Sequence, residues 1–339
     1  MSVSEWSLPI ERGGVKSEVG EYSISSIGPG PRAQRHWKLA RERGLKTIAK
    51  IQAGNTWELS SVPYIPAVEN VARHVGNLRA ENVNGLMLSW TLGGYPSPNL
   101  EVVSETLAGA STGEAMRRVA ERRFGAALAL AVVTAWRGFS TAFCEFPYDG
   151  SVLYFSPQQV GPSNLLWSEP TGYTATMVGF PYDDFDHWRA IYPPEIFIQQ
   201  FDKVADGFER SLAELRAVAM RVDTKPAQRR ALEEECGVAE ACAVHCRSSA
   251  NQARFIVARR AIAAAKPPTN ITPQIDILAS VLKDEISLAR RLHRIQSGDS
   301  RIGFEASNQY AYIPVDLAEK VLNCRDLLDN WLPRLRSGS

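Results

Sequence analysis

A change of rhythm near Gly109 divides this chain. Before it, short apolar segments of strand character alternate with amphipathic helical ones; after it, strand-like segments become scarce and long helix-period segments take over. The strand candidates are residues 3–6, 22–27, 46–52 (KTIAKIQ) and 85–90 (GLMLSW). Between them, residues 33–43 read as a helix that begins after Pro31 and stops at Gly44, where a left-handed cap suits glycine. Residues 68–81 form its counterpart after Pro66, with Val68, Val71, Val75 and Leu78 at helical spacing.

Strands that alternate with helices of this length lie parallel and need helices to cover them. The first segment therefore predicts a partial (β/α) barrel of about three to four strands over residues 1–110, since a whole barrel takes about 250 residues. Residues 111–335 predict an all-helical domain. Its opening reads as two helices, 113–124 and 126–143, or one broken at Gly125. A loop-rich, aromatic-rich stretch at 145–194 follows, then helices at about 196–221, 226–265, 273–296 and 315–332. In the third of these Ile275, Leu278, Leu282, Ala289, Leu292 and Ile295 share one stripe; in the last Leu317, Val321, Cys324, Leu328 and Trp331 do so.

Charge narrows the function classes. With 38 Lys plus Arg against 37 Asp plus Glu, the net charge of +1 gives no general field for a polyanion, so neither nucleic acid nor an anionic membrane is an expected partner. The apolar run 126–136 is shorter than the ~20 residues of a spanning helix. Five cysteines make no disulfide framework, and the first nine residues, which include Glu5, carry no signal-peptide pattern. As written, the chain reads as cytoplasmic, unless a missing N-terminal segment supplies an export signal.

Side chains at the carboxyl ends of barrel strands face the active site. There the sequence offers Glu5 and Trp6, then Asn55, Trp57 and Glu58 in AGNTWELSSVPY, then Trp90 and, just beyond, Tyr95. Glu21, in GEYSIS, is a further candidate. Carboxylates beside indoles and an amide suit a glycoside site: one carboxyl protonates the leaving oxygen, another acts as nucleophile or base, and aromatic faces stack on the sugar. The plain alternatives are a solvated rim for the carboxylates and a core position for Trp90.

Other chemistries have less behind them. Cys242 and Cys246 lie one helical turn apart, but Cys236 points elsewhere and no second pair accompanies them and His245, so these read as buried helix thiols with no metal. GPGP at Gly28 and Gly30 lacks the donors of a phosphate cradle, there is no P-loop or nucleophile elbow, and no cofactor is expected. The aromatic residues of 154–188, Trp167, Tyr173 and Tyr182 among them, either extend a sugar cleft or anchor their loop. Residues 299–314 read as a packed connection, with an Arg301–Glu305 pair as one option.

The order VSEWSLP, GEYSISSIGPGPRAQRHW, GLKTIAKIQAGNTWELSSVPYIP, NGLMLSWTLGGYPSPNLE and ERRFGAALALAVVTAWRGFSTAF resembles the C-terminal part of large bacterial glycoside-hydrolase-like proteins, alpha-glucuronidase-like or hexosaminidase-like, in which a barrel precedes a helical domain. The resemblance implies a glycosidase, or its C-terminal portion, that hydrolyses an oligosaccharide with Glu58 and Glu5 as catalytic carboxylates. Trp57, Trp90, Asn55, Trp6, Tyr95 and Glu21 would contact the substrate. A half barrel acting alone would be inactive, or completed by a missing N-terminal segment or another copy. The rival readings are a non-catalytic carbohydrate-binding protein and a helical scaffold that oligomerises.

Overall fold

The computed structural model describes residues 1–89, 95–305 and 309–337. The chain is mixed α/β and mostly helical. It opens with β1 (Ser2–Val3), followed by a hairpin of β2 (Pro9–Arg12) and β3 (Val15–Glu18). Then come α1 (Pro31–Glu42), β4 (Ile48–Ile51), α2 (Val68–Ala80), β5 (Gly85–Leu88) and α3 (Pro98–Leu107).

Strands β1, β4 and β5 make one parallel sheet in that order, with Val3 opposite Lys50 and Lys50 opposite Met87. The α/β alternation is thus present with three parallel strands. No closed barrel forms among the described residues, and β1 and β5 each have one neighbour there. Two details differ from expectation. Residues 22–27 are not a strand: they run irregularly, with Tyr22 and Ile24 buried and their backbone held by a side chain from elsewhere. The β2–β3 hairpin was not expected, although its Gly13-Gly14 turn, with φ of +57° and +82°, is a hairpin signal.

The helical part starts with α4 (Thr112–Phe124) and α5 (Ala126–Phe143). They are two helices, separated at Gly125, whose φ of +86° glycine tolerates. Ser111 and Glu114 form a capping box at the start of α4. Helix α5 is long and apolar enough to cross a membrane by length and composition, yet Leu128, Val132, Trp136, Phe139 and Phe143 are buried and the helix packs on α4 and α8.

Residues 145–194 hold their own short elements, α6 (Gly150–Phe155) and α7 (Phe185–Trp188) with two 3-10 turns between. Several aromatic residues there anchor the loop: Phe185, Trp188 and Tyr192 are buried, and the Tyr192 hydroxyl donates to the Tyr148 carbonyl at 2.9 Å. Beyond lie α8 (Pro194–Ala219), α9 (Pro226–Ala264), α10 (Thr272–Gly298), the pair β6 (Phe304–Glu305) and β7 (Gln309–Tyr310), then α11 (Pro314–Asp326) and, after a π turn, α12 (Leu332–Ser337). Arg301 pairs with Asp299 at 2.6 Å, rather than with Glu305, because the two are only two positions apart and the guanidinium folds back on its own turn.

The two parts interlock. Tyr64, from the loop after β4, donates to Glu235 of α9 at 2.6 Å, and Trp136 of α5 donates to the other oxygen of the same carboxylate at 2.7 Å. The Gly303 N–H donates to the Ser61 carbonyl at 2.8 Å. Burial raises the proton affinity of Glu235, while two neutral donors hold its position.

Candidate functional site

The three parallel strands end on the same side, and the sequence at those ends is unusually polar for a sheet core. Lys50 stands in the middle of β4, only 5% exposed, with its Nζ 3.9 Å from the centre of the Tyr22 ring. Burial lowers its proton affinity, and the charges of Glu5 and Glu21 partly restore it. Continuing the Val3–Lys50–Met87 row by two residues brings Glu5, Gln52 and Ser89 into line at the strand ends.

Glu5 is fully buried, and neither carboxylate oxygen makes a well-formed hydrogen bond among the described residues, although its own backbone N–H and the Ser4 hydroxyl are near enough to favour its charged form. Its Oε1 lies 3.6 Å from Nδ1 of His74 on α2. Burial pushes the Glu5 carboxyl up to about 8, with the negative charge of Glu58 adding to the rise, against the effects of its own backbone N–H, Ser4 and Lys50. Burial also pulls His74 down to about 3. At neutral pH the pair is therefore a protonated acid facing a neutral imidazole.

Gln52 is buried too, with both its amide oxygen and its amide nitrogen unpartnered among the described residues. Buried polar atoms without partners are rare, and each calls for a water, an ion or a ligand to explain it. Two such side chains at the ends of adjacent strands mark this as the chemically open part of the sheet.

The backbone around Glu5 is held tightly. The Gly30 N–H donates to the Ser4 carbonyl at 2.7 Å, and a Cβ on Gly30 would lie 2.3 Å from the Trp6 carbonyl oxygen. The GPGP segment therefore works as a close brace for the end of β1. Substituting Gly30 with Ala would displace the loop that carries Glu5.

Glu58 plays a different part. Its Oε1 accepts from the Ser23 hydroxyl at 2.6 Å and the Ser25 N–H at 3.3 Å; its Oε2 accepts from the Ile24 N–H at 2.7 Å and the Thr56 hydroxyl at 2.8 Å. Four donors leave this buried carboxylate no free face for a substrate, and they fasten residues 23–25 to the loop after β4. Replacing Glu58 with Ala orphans two backbone N–H groups in the interior and is expected to cost about 2–4 kcal/mol, read as a lower urea midpoint at unchanged slope. An unchanged midpoint would remove this structural role.

The remaining expected site residues scatter. Asn55 is buried and structural, its amide nitrogen donating to the carbonyls of Ser60 (3.0 Å) and Val62 (2.6 Å). Trp6, next to Glu5 in the chain, has Arg32 at 5.3 Å over its ring and His36 edge-on at 6.1 Å, and its indole nitrogen is buried without a hydrogen-bond partner among the described residues. Tyr95 faces Arg301, 6.0 Å from its ring centre. Trp90 lies outside the described residues.

Trp57 and Glu21 share a neighbour. The Trp57 ring sits 6.3 Å from that of Tyr154, whose hydroxyl donates to exposed Glu21. Trp57 also lines a cavity of about 140 Å³ against the helical part. The sequence reading missed Lys50, Gln52 and His74. The first two could have been found as polar residues within the otherwise apolar strand candidate KTIAKIQ.

The histidine and cysteines of α9 belong to the core. His245 bridges the Gln158 carbonyl and the Tyr312 hydroxyl, each at 2.7 Å. Burial lowers its proton affinity to about 4. Cys236, Cys242 and Cys246 are buried free thiols, and no group of three metal-binding side chains occurs among the described residues. Comparison of the chain with protein-family models, curated proteins and solved structures finds no match.

Proposed function

We propose that this chain is a carbohydrate-active protein of the glycoside-hydrolase type, in which Glu5 is the proton donor to the leaving oxygen. The observation that carries the reading is the Glu5 carboxyl itself: it keeps its proton to about pH 8, makes no well-formed hydrogen bond among the described residues and stands at the carboxyl end of a parallel strand beside unpartnered Gln52. A carboxyl held protonated by burial is the form a general acid needs at neutral pH. The Gln52 amide would bond sugar hydroxyls. Glu5 is sealed from solvent, so this reading requires an opening that admits the sugar to the strand ends.

One observation favours a second reading, sugar binding without turnover. Glycoside hydrolysis uses two carboxylates, and the expected partner, Glu58, has its oxygens committed to four structural donors. An assay separates the two. Nitrophenyl glycosides and neutral oligosaccharides are offered to the full chain, and calorimetry is run on the same sugars. The catalytic reading expects turnover that falls by about 10²- to 10⁴-fold in Glu5→Gln while the fold is retained. Binding without turnover selects the second reading, and the absence of both removes the carbohydrate class.

A further inference from the structure

We infer that the trough between residues 160–182 and residues 309–319 is a binding site for an uncharged oligosaccharide. It shares the carbohydrate class proposed above and does not depend on Glu5. Two cavities make up the trough, the one of about 140 Å³ beside Trp57 and a second of about 510 Å³; they share Val160, Phe180, Tyr310 and Ala311 as common wall. The larger lies in the size range of small-ligand sites.

Its aromatic residues are placed for a ligand rather than for the core. Phe180 is 70% and Tyr310 52% exposed, large apolar faces kept in water, although the Tyr310 ring also packs 4.8 Å from that of its cross-strand partner Phe304. They continue into a row of rings: Phe180 lies 6.0 Å from Tyr182, and Tyr182 lies 6.5 Å from Trp167, which also lines the larger cavity. Sugar rings present an apolar C–H face to such a row, while their hydroxyls point sideways.

The polar lining decides between ligand classes. Carboxylates Asp316 and Glu319 and the amide of Gln309 line the trough beside buried Glu305, with one Asp316 oxygen accepting from the Ile313 N–H at 2.8 Å and no Lys or Arg among the described lining residues. Nearby Lys320 is no exception, because its ammonium is buried, pairs with Glu285 and donates to the Asn164 carbonyl. A lining of carboxylates repels phosphates, sulfates and uronic acids. Carboxylates also accept hydrogen bonds and donate none. They match sugar hydroxyls, which are donors, and mismatch a proline-rich peptide, the other usual guest of aromatic grooves, whose proline backbone offers only carbonyl acceptors.

The test is calorimetry of the full chain with cellohexaose, xylohexaose, mannohexaose and laminarihexaose, alongside hexagalacturonate and a proline-rich decapeptide. At least one neutral hexasaccharide should bind, and Phe180→Ala and Tyr310→Ala should each weaken it by about tenfold, with the melting temperature unchanged in Phe180→Ala and little changed in Tyr310→Ala, which loses only the ring contact with Phe304. Binding that survives Glu5→Gln with no turnover by any variant leaves this site standing and overturns the catalytic reading alone. No binding by any neutral hexasaccharide, preference for the galacturonate or the peptide, or affinity untouched by both substitutions overturns the site. If either variant melts early, Phe180→Tyr and Tyr310→Phe, which keep the ring, must bind as the wild type does, or the inference falls.

Discussion

Replacing Lys320 with Met is expected to destabilise the fold by about 3–5 kcal/mol, the cost of leaving a buried charge without its partner. Lys320 on α11 and Glu285 on α10 are both fully buried, 2.9 Å apart. The Glu285 carboxylate also accepts from the Ser248 hydroxyl at 2.9 Å and the Asn251 amide at 3.1 Å, both on α9. The Lys320 ammonium in turn donates to the carbonyl of Asn164, in the loop that walls the trough. One ion pair thus ties three helices and a loop at a point where water cannot compensate. A double variant, Glu285→Leu with Lys320→Met, removes both charges and is expected to recover most of the loss, because a buried pair and an apolar pair of similar volume are often close in energy. Denaturant midpoints of the two single variants and the double measure this directly. A Lys320→Met protein as stable as the wild type would show that the carboxylate finds another partner or takes up a proton without cost.

The second large effect is a fall in stability as pH rises from 6.5 to 8, with Glu5 as its principal source. The Glu5 pKa is raised in the fold to about 8 from 4.5. Its contribution is therefore fully present below pH 4.5 and is lost as pH climbs through 8, when the unfolded chain ionises and the folded one does not. At 1.36 kcal/mol per pH unit, the span from 6.5 to 8 removes about 2 kcal/mol.

His74 and His245 work in the opposite sense. Lowered to about 3 and about 4, they cost stability as pH falls below 6.5, where the unfolded chain takes up protons that the folded chain refuses. The three groups together place the optimum near pH 6.5. Urea titrations across pH 5–9 should show the alkaline fall become shallower by about 2 kcal/mol in Glu5→Gln, with burial of Glu235 leaving a residual slope of the same sign. An alkaline limb of equal depth in the variant would mean that Glu5 is ionised in the fold, and its role as proton donor would go with it.

Strand-end logic could be followed some distance in the sequence. That the β1 and β4 ends carry polar groups was visible in VSEW and in KTIAKIQAGNTWE, and Glu5 was singled out there. Which carboxylate is chemically available was not visible. Glu58 looks as promising as Glu5 in one dimension, and loses that standing only because residues 23–25, more than thirty positions away, donate to it. The trough was half visible, as an aromatic stretch with two readings. The anchoring one is realised at Phe185, Trp188 and Tyr192, while Phe180 is left in the open, and the sugar-cleft one is carried only by the inference drawn above.

Local order was determined by sequence alone: the parallel α/β alternation before Gly109, the break at Gly125, the Gly44 cap and the long apolar stripes of the later helices. Such features depend on periodicity and on backbone preferences within a few neighbouring residues, so they are written where they act. The tertiary structure alone decided that the sheet has three parallel strands, that Glu58 is saturated while Glu5 is not, and that Trp57, Phe180 and Tyr310 meet across one trough. Burial and hydrogen-bond saturation are properties of the neighbours a side chain meets in space, and at these positions the neighbours come from tens to hundreds of residues away.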